Sequence, residues 1–537
     1  MNEAMKVAMN EAMKAAMNEA MKEVVMKHRH STSPGPGVLA ILSTALVTAV
    51  VTALLAAPAA AQPAPAAPAA PGPDPDPAQP SSEPTVPPPP ATPPGTGQPS
   101  PPPAPPESAK PGPAPSPGQV TAKWTMTIYG FAEFDLMHDS TQSFSDSPGN
   151  GLIVRPDGST RLLYNNGRTQ TTGRNSRLGV RLSAPESHGM RASGNVEMDF
   201  MGNQPAVSEA SFVNNGTFRL RAAYAKLESD RVDMLAGQYY FLFGEGPFFF
   251  PMSIWFFGMP NQAFGRTQQL RLSHTFKSDA VNLDVAVSLQ RPPQRDAEVP
   301  DFQGGLKLGV NAWKGPHTIG SGYAAVDPLT VAVSGSARRF RVNEFAAAPA
   351  TTRTASGWGV SLDGMIPIVP AASAKAKGNA LTATGSFVTG HGIGDLIGGL
   401  TGGATFPALP PAMPGGTPPA FAANIDNGIV QYDASGNLHT INWQTFMVGA
   451  QYYLPPNGEV TIGANYTQGD SDNITDGLTG AALGRVMKKS QFFEAVVLGD
   501  ITPAVRAGVS WQRLWQTLGD GAQTKNNRLE LSVYFFF

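Results

Sequence analysis

The sequence predicts an all-β protein: a transmembrane antiparallel β-barrel of about sixteen strands, preceded by a disordered proline-rich segment. Three observations carry this expectation. From residue 124 onward, apolar and polar side chains alternate with period two, the signature of strands with one face in each of two media. The connections between these segments alternate short and long, as in barrels with turns at one end and loops at the other. The sequence closes on "RLELSVYFFF", with Leu529, Leu531, Val533, Phe535 and Phe537 on one face and Arg528, Glu530, Ser532 and Tyr534 on the other. A last strand that pairs with the first leaves no backbone edge open to lipid.

Taken in order, residues 1–25 hold three near-identical octads, "MNEAMKVA", "MNEAMKAA" and "MNEAMKEV". A period of eight is not a coiled-coil heptad. It reads as a tandem duplication upstream of a true start at Met26, or else as an amphipathic helix. Residues 26–61 read as a signal peptide: Lys27, His28, Arg29 and His30 precede the apolar run "VLAILSTALVTAVVTALLAA", and Ala59-x-Ala61 offers cleavage before Gln62. The run is also long enough for a retained anchor. Residues 62–120 are Pro- and Ala-rich and too poor in apolar side chains to fold, so they read as a periplasmic linker. Extended as polyproline II at about 3.1 Å per residue, it would reach more than ~150 Å, as a passive tether or a docking segment for the cell wall.

Residues 121–537 form the barrel. "WTMTIYGFAEFDL" sets Trp124, Met126, Ile128, Phe134 and Leu136 against Thr125, Thr127, Tyr129, Glu133 and Asp135. "RLGVRLS", "ASGNVEMDF" and "VNLDVAVSLQ" repeat the pattern. The strands fall at roughly 124–137, 173–183, 190–201, 217–228, 232–243, 267–276, 281–290, 302–311, 327–341, 356–366, 379–388, 439–453, 459–468, 490–499, 505–516 and 527–537. The weakest links are the turn at 312–326, long for its side, and the eleventh strand, poor in apolar residues. Fourteen or eighteen strands also satisfy the pattern.

Composition narrows the function classes. A formal net charge of −2 suggests no nucleic-acid partner. The absence of cysteine excludes disulfides and thiolate metal sites. The eight histidines show no metal-ligand spacing, so no metal and no cofactor are expected; "GDSDNITDG", with Asp470, Asp472 and Asp476, lacks the full calcium-loop pattern and reads as a solvated turn.

The segments "IYGFAEFDL", "SRLGVRLSAPESHG" with "GNVEMDFMGN", "FRLRAAYAKLESDRVDMLAGQYYFLFG" and "GHGIGDLIGGL" resemble the DcaP-like outer-membrane porin family of Gram-negative bacteria. The resemblance implies a multi-pass outer-membrane barrel, a homotrimer, a third loop folded into the lumen and passive uptake of small, often anionic solutes, with no enzymatic step. The family's N-terminal coiled coil has no counterpart in the proline-rich segment. Phe535 and Phe537 look like the terminal signal read by the barrel-assembly machinery, and lipid and lipopolysaccharide are the expected surroundings.

The expected pore lining is a set of arginines, whose planar fork suits carboxylates: Arg177, Arg181, Arg191, Arg219, Arg221 and Arg271, with Arg338, Arg341 and Arg506 further on. Opposing acids are Glu133, Asp135, Glu197, Asp199, Asp284 and Asp363. Residues 121–537 hold 32 basic and 32 acidic side chains, so selectivity would come from placement; the arginines either attract anionic solutes or merely pair with the acids. The third loop, "GEGPFFFPMSIWFFGMPNQAFG", is too apolar for water: Phe248, Phe249, Phe250, Trp255, Phe256 and Phe257 either pack on the inner wall or a trimer neighbour, or form an apolar constriction. Two other classes stand beside the channel: a tether or adhesin resting on the linker, and a barrel lipase, for which His274 is the outward histidine.

Overall fold

The computed structural model describes residues 124–146, 151–202, 216–255, 258–292, 299–319, 322, 324–344, 350–371, 373–400, 428–433, 435 and 437–537. The expected octad repeat, signal peptide and linker lie outside these residues, as do Phe256 and Phe257.

Sixteen antiparallel strands close into one barrel. They are β1 (Thr125–Asp139), β2 in two pieces (Arg168–Thr172 and Arg177–Ser183), β3 (Met190–Asp199), β4 (Arg219–Ser229) and β5 (Asp233–Tyr240). β6 (Arg266–Lys277), β7 (Val281–Gln290), β8 (Asp301–His317), β9 (Ala325–Asn343) and β10 (Thr352–Val369) follow. β11 (Leu381–His391), β12 (Asn442–Tyr453), β13 (Val460–Asp470), β14 (Met487–Thr502), β15 (Val505–Leu518) and β16 (Gln523–Phe536) complete the ring. Each strand pairs with the next, and β16 pairs with β1 from Phe131↔Phe536 to Asp139↔Arg528.

The expected period of two is the barrel's inside–outside rule. In β1, Phe131, Glu133, Asp135, Met137 and Asp139 are buried toward the lumen, whereas Phe134 and Leu136 are exposed on the outer wall. Leu178, Leu182, Val196, Leu220, Leu270, Leu272, Val331, Val333, Leu362, Leu531, Val533, Phe535 and Phe537 extend that apolar outer belt. No helix among the described residues is long and apolar enough to cross a membrane.

Two junctions differ from expectation. The second strand starts earlier than residue 173 and is interrupted at residues 173–176, where Ser176 Oγ accepts from the Glu133 N–H at 2.9 Å and Asn175 Nδ2 donates to Glu133 Oε2 at 2.7 Å. The doubtful turn at 312–326 is short in the structure, because β8 runs on to His317 and β9 begins at Ala325. Strand β11, despite its small residues, pairs over its whole length with β10 and β12. Short turns and both barrel ends lie at one rim. The long connections lie at the other, one with a single short helical turn (Arg161–Asn165) and another with a hairpin (Val430–Tyr432 with Leu438–Thr440).

Candidate pore and constriction

The third long loop, residues 241–265, leaves β5 and returns to β6 after following the inner wall from β8 round to β16. The Phe243 N–H donates to Gln303 Oε1 at 2.9 Å on β8, and the Gly244 N–H to Ser334 Oγ at 2.8 Å on β9. Further on, Asn465 Nδ2 of β13 donates to Met252 O at 2.6 Å. On β14, Glu494 accepts from Ser253 Oγ and the Ile254 N–H, both at 3.2 Å. On β16, Glu530 accepts from Trp255 Nε1 at 2.9 Å, and the Tyr534 hydroxyl donates to Ile254 O. The loop is braced from above by the connection after β11: the Asn261 N–H donates to Gly398 O and the Gly398 N–H to Gln262 O, at 2.8 and 2.9 Å.

The loop aromatics pack on this wall. Phe249 is fully buried with Ala332 and Met365, Phe250 lies against Tyr240 and Phe264, and Trp255 stacks on Phe492 at 6.0 Å. Phe248 is only partly buried, with Lys307 Nζ 5.0 Å above its ring. Among the described aromatics of the loop, Phe249, Phe250 and Trp255 are buried on the inner wall.

The loop therefore occupies the β8–β16 side of the lumen. The opposite wall, from β1 to β7, carries the arginines. Arg219 holds Asp199 through two hydrogen bonds of 3.0 and 2.6 Å; Arg221 holds Glu197 at 2.6 Å and Asp199 at 2.9 Å, and donates to the Tyr240 hydroxyl at 3.1 Å. Arg271 donates to Gln269 Oε1 at 2.9 Å and Tyr240 O at 2.6 Å. Arg177 lies over the Phe131 ring at 5.2 Å and Arg181 over Tyr129 at 5.3 Å. Arg191 pairs in register with Glu228 near the short-turn rim. Among the described residues, Arg181, Arg191, Arg266 and Arg271 make no ion pair within 4.0 Å.

Glycine shapes this wall at two points. A Cβ on Gly179 would lie 2.3 Å from Tyr129 Cζ, so its absence lets the Tyr129 ring lie flat and reach Asn195 and Glu197 at 3.0 and 3.1 Å. Gly237, at φ +131°, makes room beside Tyr224, whose ring meets Tyr239 at 5.0 Å.

The remaining expected residues are placed as follows. Arg338 is buried between Asp301 of β8, at 2.8 Å, and Asp395 of the connection after β11, at 2.5 and 2.7 Å. Arg506 is buried at the short-turn rim against Asp500 at 2.6 Å. Asp284 faces Lys307 at 3.3 Å, and Asp363 accepts from Ser361 and Ser386 at 2.7 and 2.6 Å. Asp135 accepts from Ser532 at 2.5 Å. Arg341 is a correction: it lies on the outer face, because it shares parity with Val331 and Val333 whereas Arg338 shares parity with the inward Ser334 and Ser336. Two residues three apart on a strand cannot face the same side. His274 is outward beside Phe276, with ring centroids 4.5 Å apart. Asp472 accepts from Asn442 Nδ2 at 3.0 Å, and no group of three His, Asp or Glu among the described residues could hold a metal.

Several pore residues were not foreseen. Arg266 stands at the loop–strand boundary with its guanidinium 5.5 Å over Tyr240, and the tyrosines Tyr129, Tyr224, Tyr239 and Tyr240 line the arginine wall. Glu494 and Glu530, which anchor the third loop, sit on inward parities that the alternation does define.

A closed sixteen-stranded antiparallel barrel with an apolar outer belt, a charged lumen and an inward-folded third loop is the fold of the Gram-negative outer-membrane porins, a multi-pass outer-membrane architecture. Within that class the chain is similar to the outer-membrane channel DcaP of Acinetobacter baumannii, with a TM-score of 0.53 at 16% identity over 78% of this chain and 99% of that one. Weaker likenesses are a loop L8 deletion mutant of OmpT from Vibrio cholerae (TM-score 0.43, 10% identity, 77% of this chain and 99% of that one) and OmpF of Salmonella typhi (0.41, 10%, 77% and 97%). At these identities the likeness is one of fold. No family model and no curated protein matches the sequence.

Proposed function

We propose that the chain is an outer-membrane porin that passes small hydrophilic solutes by passive diffusion and prefers anions of the carboxylate type. The observation that carries the preference is the asymmetry of the lumen. The third loop fills the β8–β16 side, and the opposite wall presents Arg181, Arg191, Arg266 and Arg271 without ion-pair partners beside the paired Arg219 and Arg221. Arginines with no carboxylate within ion-pair distance attract anions, and their planar donors fit a carboxylate.

In this reading the protein works as a homotrimer in lipid and lipopolysaccharide, is inserted by the barrel-assembly machinery through Phe535 and Phe537, and carries residues 62–120 as a periplasmic linker behind a signal peptide at 26–61. No catalytic step is assigned. Around His274 the outward neighbours on β5 and β7 are Met234, Val285 and Val287, with no serine among them, which supports a channel over a lipase.

The test is the reversal potential of the purified mature protein in a planar bilayer under a potassium chloride gradient. Ohmic conductance with chloride preferred supports the proposal. Cation preference keeps the channel and removes the arginine argument. A folded protein without conductance overturns the channel and moves the assignment to a tether or adhesin.

A further inference from the structure

The turn between β8 and β9 does not end at the barrel rim. Their register is regular up to Val310↔Leu329, then resumes at Lys314↔Pro328 with three extra residues on β8. Extra residues on one strand bend a hairpin, and this one bends inward. Gly315 packs on Pro367 of β10, where a Cβ would lie 2.4 Å from the proline Cβ. Thr382 Oγ1 of β11 donates to Pro316 O at 2.6 Å. The Thr318 N–H donates to Gln451 Oε1 at 3.1 Å, and Thr318 Oγ1 bonds the Tyr453 hydroxyl at 2.9 Å, both on β12. Arg506 Nη1 of β15 donates to Gly322 O at 2.5 Å. These partners on β10, β11, β12 and β15 are buried, inward-facing residues, so the hairpin crosses the lumen beneath the third loop. The two meet where the fully buried His317 ring lies 5.5 Å from Phe248.

We infer that this inward hairpin is a second, fixed constriction at the short-turn end of the pore, and that it determines specificity by keeping solutes against the arginine wall. The inference rests on the channel reading above. The side chains it meets are Pro367, Thr382, Gln451 and Tyr453, with Arg506, whose charge is paired with Asp500 at 2.6 Å, and Lys377, which lies over the Tyr453 ring. Without the hairpin, solute leaving the third loop could move away from Arg181 and Arg191 across the wider lumen. A sixteen-stranded barrel is wide enough for water to fill both halves, so this element decides which half conducts.

Two measurements test it. The chain has no cysteine, so the pair Thr318→Cys and Gln451→Cys reports on one contact alone. In protein folded in bilayers the pair should cross-link readily; failure to cross-link overturns the inward placement. In a second variant, residues 311–328 are replaced by Asn-Gly, which joins Val310 to Leu329. Conductance should rise about 1.5-fold and chloride preference should fall, because ions can then pass farther than a Debye length from Arg181 and Arg191. In the same variant a Thr382→Cys thiol should react with a charged, membrane-impermeant reagent at least about tenfold faster than in the full-length hairpin. Unchanged conductance, selectivity and thiol reactivity in a folded barrel would overturn the inference while leaving the channel reading intact; loss of conductance in the parent protein would overturn the channel reading itself. If the shortened chain does not insert, cross-linking of the first pair decides alone.

Discussion

Replacing Arg271 by Gln removes one lumen charge while keeping a side chain that can still donate to Tyr240 O. Arg271 bonds only neutral oxygens, at 2.9 and 2.6 Å, so its charge is not cancelled by a carboxylate within ion-pair distance. An ion passing about 6 Å from the guanidinium in water of dielectric ~80 feels about 0.7 kcal/mol. Screening with a Debye length of ~10 Å at 0.1 M salt reduces this to roughly 0.4 kcal/mol. The anion loses that attraction and the cation loses an equal repulsion, so the permeability ratio should move toward cations by about fourfold. The assay is the reversal potential under a fixed gradient, repeated at 1 M salt, where a Debye length of about 3 Å should shrink the change to about 1.4-fold. Arg513→Gln is the control, because Arg513 stands on the outer face against Trp515 at 4.7 Å and should leave selectivity untouched. An unchanged ratio in folded Arg271→Gln protein would refute the field argument.

Other outcomes follow from the same geometry. Trp255→Phe removes the donor to Glu530 and leaves that buried carboxylate with the Gln512 donor at 2.9 Å; the cost should be about 1–3 kcal/mol, seen as a lower unfolding midpoint, with noisier and larger single-channel currents as the third loop loosens. Gly179→Ala should lower conductance by pushing the Tyr129 ring off the wall, and adding Tyr129→Ala should restore it. In the long loops, the Arg155 guanidinium, which also bonds Asp520 at 2.7 Å, holds the exposed Asp157 carboxyl below the usual carboxylate range. A depressed folded value means the contact is intact above the ordinary pKa and is lost as pH falls through the lowered one. Protease cleavage of this loop should therefore stay slow at pH ~5 and approach the rate of Arg155→Gln only in stronger acid, below roughly pH 4.

The sequence made the barrel legible wherever the two strand faces meet different media. In β1 the contrast of Phe134 and Leu136 with Glu133 and Asp135 defines both face and register. The contrast fades in β14, "QFFEAVVLGD", because its inner face also holds Phe492, Val496 and Leu498. Those residues are apolar because Ile254, Trp255 and Met259 of the third loop pack on them, a long-range contact that local periodicity does not encode. The same reason hid Glu494 and Glu530 as anchors: their parity was readable, their partner on the loop was not. Arg338 and Arg341 cannot both face inward on one regular strand, and the parity of β9 places Arg341 outward with Val331 and Val333. The long turn at 312–326 stood out by its length, but its inward path depends on Pro367, Thr382 and Arg506, which lie far along the chain.

The pairing of β16 with β1 joins residues such as Asp135 and Ser532, separated by 397 positions. A ring of this kind has no partially useful form: until the sixteenth strand arrives, the first and the latest strands are both raw edges, and in lipid an unpaired edge is costly. Synthesis and folding are thereby forced apart in time. The polypeptide must be kept from collapsing or pairing with its neighbours until it is whole, and a message cut short yields an open ribbon rather than a narrower pore. The closing seam works as a proofreading step on chain completeness, performed by geometry before any solute is met.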